Sequence, residues 1–329
     1  MSSSNTAKSL NSDGISIHGW RISTVKGPII ADRDSDEFRN QLGRDGVFSL
    51  PEMLFNQNRV TLLHEDSGVS IDLNAQDALR DWRQADTGQP LQVTVAKAWQ
   101  SSRHDEIQQQ KAVQLDYDWT YTSPYEGSIK MMPAVEDHGH CNAAAISERT
   151  MSPVTSSHDP DRSNKATEGS QNSYEILHDV PQRVVPNWED CTEQIDRSML
   201  MERDPILFFD EVILYESDLD DNGVCLMTAK LRVMPKCWFV LLRLWIRVDG
   251  CMVRLRETRL FCRHDLPHTK RTVIKEVKCS EGTFQELRAA GAPDDGPAYA
   301  DADSASSVFQ AVAPIGLKLF KLEKLQVPT

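Results

Sequence analysis

Three long β-rich runs decide the fold: Val224-Cys-Leu-Met-Thr-Ala-Lys-Leu-Arg-Val-Met234, Trp238-Phe-Val-Leu-Leu-Arg-Leu-Trp-Ile-Arg-Val248 and Cys251-Met-Val-Arg-Leu-Arg-Glu-Thr-Arg-Leu-Phe261. Pro235-Lys236 and Asp249-Gly250 separate them, so the reading is an antiparallel meander. A two-residue Asp-Gly loop sets a register in which Val248 faces Cys251, Ile246 faces Val253, Leu244 faces Leu255 and Leu242 faces Glu257. One face of the middle run (Trp238, Val240, Leu242, Leu244, Ile246, Val248) is wholly apolar. On the other face this register sets Arg243 against Arg256, a repulsive pair that needs carboxylates nearby, for which Asp210 and Glu211 are the candidates.

Upstream, Ile195, Met199 and Leu200 have helical spacing, and Asp204-Pro205 ends that helix. Ile206 to Tyr215 reads as a strand running into the turn Asp218-Leu-Asp-Asp-Asn-Gly223. Further back, Trp20, Ile22 and Thr24 alternate with polar neighbours, and Val60–His64 and Val69–Leu73 form a hairpin around Glu65-Asp66-Ser67-Gly68. Asn74 is placed to cap a helix carrying Ala75, Ala78, Leu79 and Trp82, with Asp77 favouring its positive end. Leu91–Ala96 and Tyr117–Thr122 read as strands. Residues 1–14 are polar and expected to be disordered, and 130–185 lack periodicity and large apolar residues, as a disordered insertion would. Downstream, Ser280 is expected to cap a helix through Phe284 and Leu287, Ala292–Ser307 to form a loop, and Val308–Leu325 to pack back as a final helix.

The chain of 329 residues is long enough to bury a sizeable core. Its net charge of −13 disfavours nucleic acid and anionic membranes as partners. Cys141, Cys191, Cys225, Cys237, Cys251, Cys262 and Cys279 are odd in number and lack zinc or redox spacing, which fits reduced thiols. No secretory leader is legible, and the most apolar stretch, Trp238–Val248, is broken by Arg243 and Arg247, so no membrane span is expected. The expected location is the cytosol, with the nucleus open as well.

No phosphate loop, nucleophile elbow, zinc-protease helix or kinase signature can be read in the chain. Asp218-x-Asp220-x-Asn222-Gly223 opens like a calcium loop, but the position for a bidentate Glu is Ala229 and the flanks alternate like strands, so an acidic hairpin turn is favoured. His138, His140 and Cys141, and separately Cys262, His264, His268 and Cys279, are metal-type residues that read more simply as linker and strand-edge positions. Asp36-Glu37, Glu65-Asp66, Glu189-Asp190 and Asp210-Glu211 read as solvated charge in so acidic a chain. Tyr117-Asp-Trp-Thr-Tyr121 and Trp238-Phe239 are read as core first and recognition surface second.

Several ordered segments resemble the TIPRL-like family of TOR signalling regulators: Gly19-Trp-Arg-Ile22, Ser49-Leu-Pro-Glu-Met-Leu-Phe55, Asn74-Ala-Gln-Asp-Ala-Leu-Arg80, Tyr117-Asp-Trp-Thr-Tyr-Thr122, Phe208-Phe-Asp-Glu-Val-Ile-Leu214, Leu231-Arg-Val-Met-Pro235, Arg247-Val-Asp-Gly250 and Glu257-Thr-Arg-Leu260. The resemblance implies a single α+β domain built on antiparallel β-sheets with a few flanking helices, made of residues 15–129 and 186–329 around the insertion. It also implies no catalytic activity, no cofactor and no bound metal. The partners it implies are the catalytic subunits of type 2A, type 4 and type 6 protein phosphatases, whose C-terminal tail enters a groove, with the TOR-linked phosphatase-associated regulator as a further candidate. Family positions on the binding surface correspond to Asp77, Ile195, Leu255 and Glu257. In the register above, Leu255 and Glu257 point the same way and set a carboxylate beside an apolar patch, a combination suited to an interface. The bland reading of the pair is a core leucine and a glutamate paired with an arginine. Two alternatives from other classes are a metal-dependent enzyme, using the Asp218–Asn222 loop or the His/Cys clusters, and a small-ligand binding module with a deep closed pocket.

Overall fold

A computed structural model of the chain describes residues 10–42, 50–84, 120–132, 185–219, 221–267, 271–293 and 296–328, apart from the side chains of Arg83 and Gln84. The body of the fold is two antiparallel sheets with a few short helices. In chain order the strands are β1 (Asn11–Ile17), β2 (Trp20–Lys26), β3 (Met53–Leu54), β4 (Arg59–His64), β5 (Val69–Asn74), β6 (Ser128–Met131), β7 (Glu189–Asp190), β8 (Phe208–Ser217), β9 (Gly223–Val233), β10 (Cys237–Val248), β11 (Met252–Arg263), β12 (Thr272–Thr283) and β13 (Leu317–Gln326). Among the described residues the helices are α1 (Asp32–Leu42), α2 (Ala75–Gln84), α3 (Arg197–Met201), α4 (Phe284–Ala289) and α5 (Ala302–Ala311), with a 3-10 turn at Gly296–Tyr299. One sheet has the order β1-β2-β4-β5-β6, the other β3-β8-β9-β10-β11-β12-β13-β7.

The main core lies where the two sheets bury their alternating faces together. Trp20 and Ile22 of β2, Val60 and Leu62 of β4, and Ile71 and Leu73 of β5 meet Val212, Leu214, Leu231, Val233 and the expected apolar face of β10, from Trp238 to Val248. Trp20 and Trp238 pack edge to face at 5.1 Å, the arrangement that ring quadrupoles favour. Each such side chain, taken fully out of water, stabilises the fold by about 1.5–3 kcal/mol. Asn74 caps α2 as expected, its Oδ1 accepting the Asp77 amide at 2.8 Å.

The hairpin between β10 and β11 departs from the two-residue loop. Asp249, Gly250 and Cys251 all lie in the connection, the Cys251 amide donates to Val248 O at 3.0 Å, and only Gly250 of the Asp-Gly pair has a positive φ. A two-residue loop of this type needs both residues left-handed, but Asp249 is held by its amide to Asn222 O (2.8 Å) and by Arg247 Nε to its carboxylate (2.7 Å). The register therefore shifts by one, pairing Val248 with Met252, Trp245 with Leu255 and Arg243 with Glu257. Because side chains alternate, this shift leaves β10 as expected and exchanges the two faces of β11. Arg243 gains a carboxylate across the ladder in place of Arg256, while Asp210 pairs with Lys26 and Glu211 with Lys230.

Other expectations change as well. Asn11–Gly14, expected to be disordered, pair with β2; Gly14 fits because a Cβ there would meet Ile22 O at 2.5 Å. Thr272–Thr283 is a full strand, so Ser280 lies inside β12, and the cap of α4 is Thr283, which forms a capping box with Glu286. Ala292–Ser307, expected as a loop, holds the 3-10 turn and the start of α5. The expected terminal helix is the second half of α5 followed by β13; Leu319, Leu322 and Leu325 mimic helical spacing along an edge strand. Thr120–Thr122 are not a strand, and the rest of Tyr117–Thr122, the Leu91–Ala96 run and 133–184 of the insertion lie outside the described residues. At the insertion's start, Lys130 and Met131 belong to β6.

Candidate partner-binding surface

The two faces of β11 organise the candidate site. Outward, Leu255 joins Trp245, Val253, Leu287, Tyr299, Ala305 and Phe309 in a second apolar cluster beneath α4 and α5. At the other end of the same face Ile195 and Met199 pack with Met234, Cys237, Phe261 and Ile274. Between these clusters runs a belt of paired charges. Arg243 grips Glu257 Oε1 through Nε at 3.1 Å and Nη2 at 2.8 Å, and Arg259 Nη2 takes Glu257 Oε2 at 2.6 Å. Arg259 Nη1 lies 3.9 Å from Glu276, whose other oxygen accepts the Ile195 amide at 2.8 Å. At the opposite end Arg243 Nη1 meets Asp303 Oδ1 at 2.6 Å, on the first turn of α5. Asp301 caps that helix by accepting the amides of Asp303 and Ser304 at 2.8 Å.

Three of the expected binding positions, Ile195, Leu255 and Glu257, thus share one face, but their side chains are not on its surface. Leu255 is 3% exposed, Glu257 2% and Ile195 5%. Leu255 and Glu257 do point the same way, toward Trp245 and Arg243 and not toward Leu244 and Leu242. Their arrangement is the bland one: a core leucine and an arginine-paired glutamate. What the sequence reading missed is Arg259–Glu276, which carries the belt on to Ile195; no signal short of the true register would have placed those residues together.

Asp77 lies apart, on α2 beside the smaller sheet. Burial alone would raise its carboxyl, but hydrogen bonds from Asn74 and Ser128 and the charges of Lys130 and Arg80 outweigh that and hold it below the usual carboxylate range. The segment 120–127 connects this corner to the inner face of β11. Ser123 Oγ donates to Ala78 O at 2.6 Å and Tyr125 OH to Asp72 O at 2.9 Å. Arg254 reaches Thr122, and Glu126 accepts from Arg256 at 2.7 Å and from Lys275 and Lys321 at 2.9 Å each. Burial pushes the Glu126 carboxyl up, but the Lys321 hydrogen bond and the Lys275 charge more than offset it, so the group stays ionised below the ordinary range. Lys275 Nζ also sits 4.2 Å from the centre of the Trp188 ring.

Among the described residues no group of three or more His, Cys, Asp or Glu side chains could hold a metal ion. The Asp218–Gly223 segment is a strand-to-strand turn: Gly223 N donates to Asp218 O at 3.2 Å, and Asn222 to Leu219 O at 3.1 Å. Asp220 lies outside the described residues, as do His138, His140, Cys141 and His268. Cys262 sits opposite Val273 and Cys279 opposite Arg256, six positions apart along β11, so that second set does not converge. Cys191, Cys225, Cys237, Cys251, Cys262 and Cys279 are free thiols. No helix among the described residues is long and apolar enough to cross a membrane.

Fold and surface together define a two-sheet α+β scaffold whose larger sheet carries a cross-linked outer face. Residues 53–288 match the TIP41-like family. The chain is 36% identical over 316 residues to a TIP41-like protein of Arabidopsis thaliana, covering 96% of this chain and 91% of that one. It is 31% identical over 268 residues to a TIP41-like protein of Homo sapiens, covering 82% and 76%. To the type 2A phosphatase activator TIP41 of Saccharomyces cerevisiae it is 27% identical over 288 residues, covering 84% and 64%. The chain belongs to the TIP41-like family.

Proposed function

We propose that this chain is a non-catalytic regulator that binds the catalytic subunits of type 2A-like protein serine/threonine phosphatases and through them modulates TOR signalling. The observation that carries the reading is the family match over residues 53–288, which takes in Arg243, Glu257, Arg259 and Glu276, together with relatives named as type 2A phosphatase activators. On this reading the type 4 and type 6 catalytic subunits are further partners, the phosphatase C-terminal tail is held in a groove, and the protein works in the cytoplasm with access to the nucleus. Ile195, Leu255 and Glu257 act as positioning residues. Ile195 seats α3, and Arg232 Nη1 to Leu200 O (3.5 Å) and Lys236 to Glu202 (2.8 Å) fasten the end of that helix to β9 and the turn after it. Met201, Ile206, Leu207 and Phe209, which lie between α3 and the start of β8 in the chain, are each exposed, and apolar side chains exposed on a charged surface suit a docking site.

Capture of purified type 2A catalytic subunit by the full chain tests this, with Phe209→Ser, Met201→Ser and their combination as variants. Wild-type capture that the double variant loses without a change in melting temperature supports the reading and the surface. No capture by the wild type overturns the function. Undiminished capture by the double variant moves the surface elsewhere.

A further inference from the structure

Among the described residues, only half of the edge of the larger sheet at β13 is covered. Its C-terminal half pairs with β7, Glu323 opposite Asp190 and Lys324 opposite Glu189, and Leu322 O accepts the Cys191 amide at 3.1 Å. After Cys191 the chain leaves the edge to deliver Ile195 to Glu276. Among the described residues no strand pairs with Leu317–Lys321 on the side away from β12. Backbone polarity alternates along a strand, and Leu322 faces β7, so the N–H and C=O of Phe320 point out of the same edge. Phe320 is 51% exposed, and Ile315, Leu317 and Leu319 are also exposed. The open stretch is bulged at Lys318, where Leu319 and Leu317 pair with the consecutive Cys279 and Ser280, and has room for about three or four residues of an added strand.

We propose that this open half of β13 is a strand-addition site for an extended acidic peptide segment with alternating apolar side chains, supplied by another protein. Charge selects that occupant. In a chain of net charge −13 this stretch carries lysines: Lys318 and Lys321 lie on it and Lys278 stands opposite Phe320 on β12. Of the carboxylates around it, Glu126 and Glu323 are engaged by Lys275 and Lys321, and Glu286 by the Thr283 amide and hydroxyl. The strand that occupies the covered half is itself acidic, Glu189 lying across from Lys324. Lysine on an edge protects it from pairing with its own kind, because a second copy would bring the lysines of both chains onto one seam. An acidic strand meets the same edge with attraction, its main chain completing the ladder of Phe320 and its apolar side chains covering Leu319 and Phe320.

The probe is a fluorescein-labelled octapeptide that alternates glutamate with valine and isoleucine, compared by anisotropy with a twin bearing lysine for glutamate. The acidic peptide is expected to bind the full chain at least about tenfold more tightly than its twin, and more weakly as salt rises. Phe320→Pro removes the outward N–H while leaving the β12 ladder in place, as edge strands tolerate, and is expected to weaken binding by about tenfold or more. Lys318→Glu with Phe320→Thr keeps the backbone donor and is expected to abolish the preference for the acidic peptide, which covers the case in which the proline variant fails to fold. Phe209→Ser, on the opposite edge, is expected to leave peptide binding unchanged, so this test stands apart from phosphatase capture. Equal binding of both peptides, or binding untouched by the Lys318/Phe320 variant, overturns the proposal. A concentration-dependent dimer that Phe320→Pro dissolves overturns it in favour of a second copy.

Discussion

Glu257→Gln tests whether the belt holds the outer face together from within. The substitution keeps volume but removes the charge between Arg243 and Arg259, which approach Glu257 to 2.8 and 2.6 Å in a site that is 2% exposed. Breaking a buried pair by removing one partner costs about 3–5 kcal/mol, chiefly because the remaining charge stays buried without compensation. Here Arg243 retains Asp303, which is exposed, and Arg259 retains Glu276 at 3.9 Å, so the lower end, about 3 kcal/mol, applies. For a domain of this size that lowers the melting temperature by about 6–12 °C. Replacing Arg243 and Glu257 together, Arg243→Met with Glu257→Leu, is expected to recover part of the loss, because Arg243 no longer stays buried as an uncompensated charge while Arg259 keeps only Glu276 at 3.9 Å. The assay is thermal melting and urea unfolding of wild type, Glu257→Gln, Arg243→Met, Glu257→Leu and the Arg243→Met/Glu257→Leu double variant, with phosphatase capture measured where all are folded. If Glu257→Gln melts within about 1 °C of wild type yet loses capture, Glu257 meets the partner directly and the belt reasoning is refuted.

Asn74→Ala removes the acceptor for the Asp77 amide and is expected to cost about 1 kcal/mol, read as a lower urea midpoint at unchanged slope. Gly223→Ala would bring its Cβ to 1.9 Å from Arg247 O at a positive φ, and is expected to destabilise by about 2–3 kcal/mol, with hydrogen exchange accelerated at the β9–β10 end. Burial beside His18 pushes the His264 imidazole down to about 4 from an ordinary 6.5, and its Nε2–H donates to Met234 O at 3.0 Å. The unfolded chain therefore binds this proton first: stability from His264 is full above pH 6.5 and falls by about 3 kcal/mol as pH drops toward 4. His264→Phe should flatten the melting-temperature profile across that window, and an unchanged slope would show that other groups govern it.

Local periodicity was enough to read the middle of the fold. The apolar face from Trp238 to Val248, the hairpin at Glu65–Gly68 and the Asn74 cap are each written within a few residues, and all are present. The terminal strand was not legible, because Leu319, Leu322 and Leu325 satisfy helical spacing as well as they satisfy an edge strand. Nor was the partner of Glu257. Asp249 is kept out of the positive-φ region by Asn222, in the turn before β9, and by Arg247 at the end of β10, and this lengthens the turn by one residue and sends Leu255 and Glu257 to the opposite face. By itself the sequence determined the strands β2, β4, β5 and β8 to β11, where α2 begins and which family the segments resemble. The tertiary structure alone decided that Ile195, Leu255 and Glu257 are buried on one belt-linked face, because a register is set by contacts between strands and one residue of slip changes which face every side chain of β11 occupies.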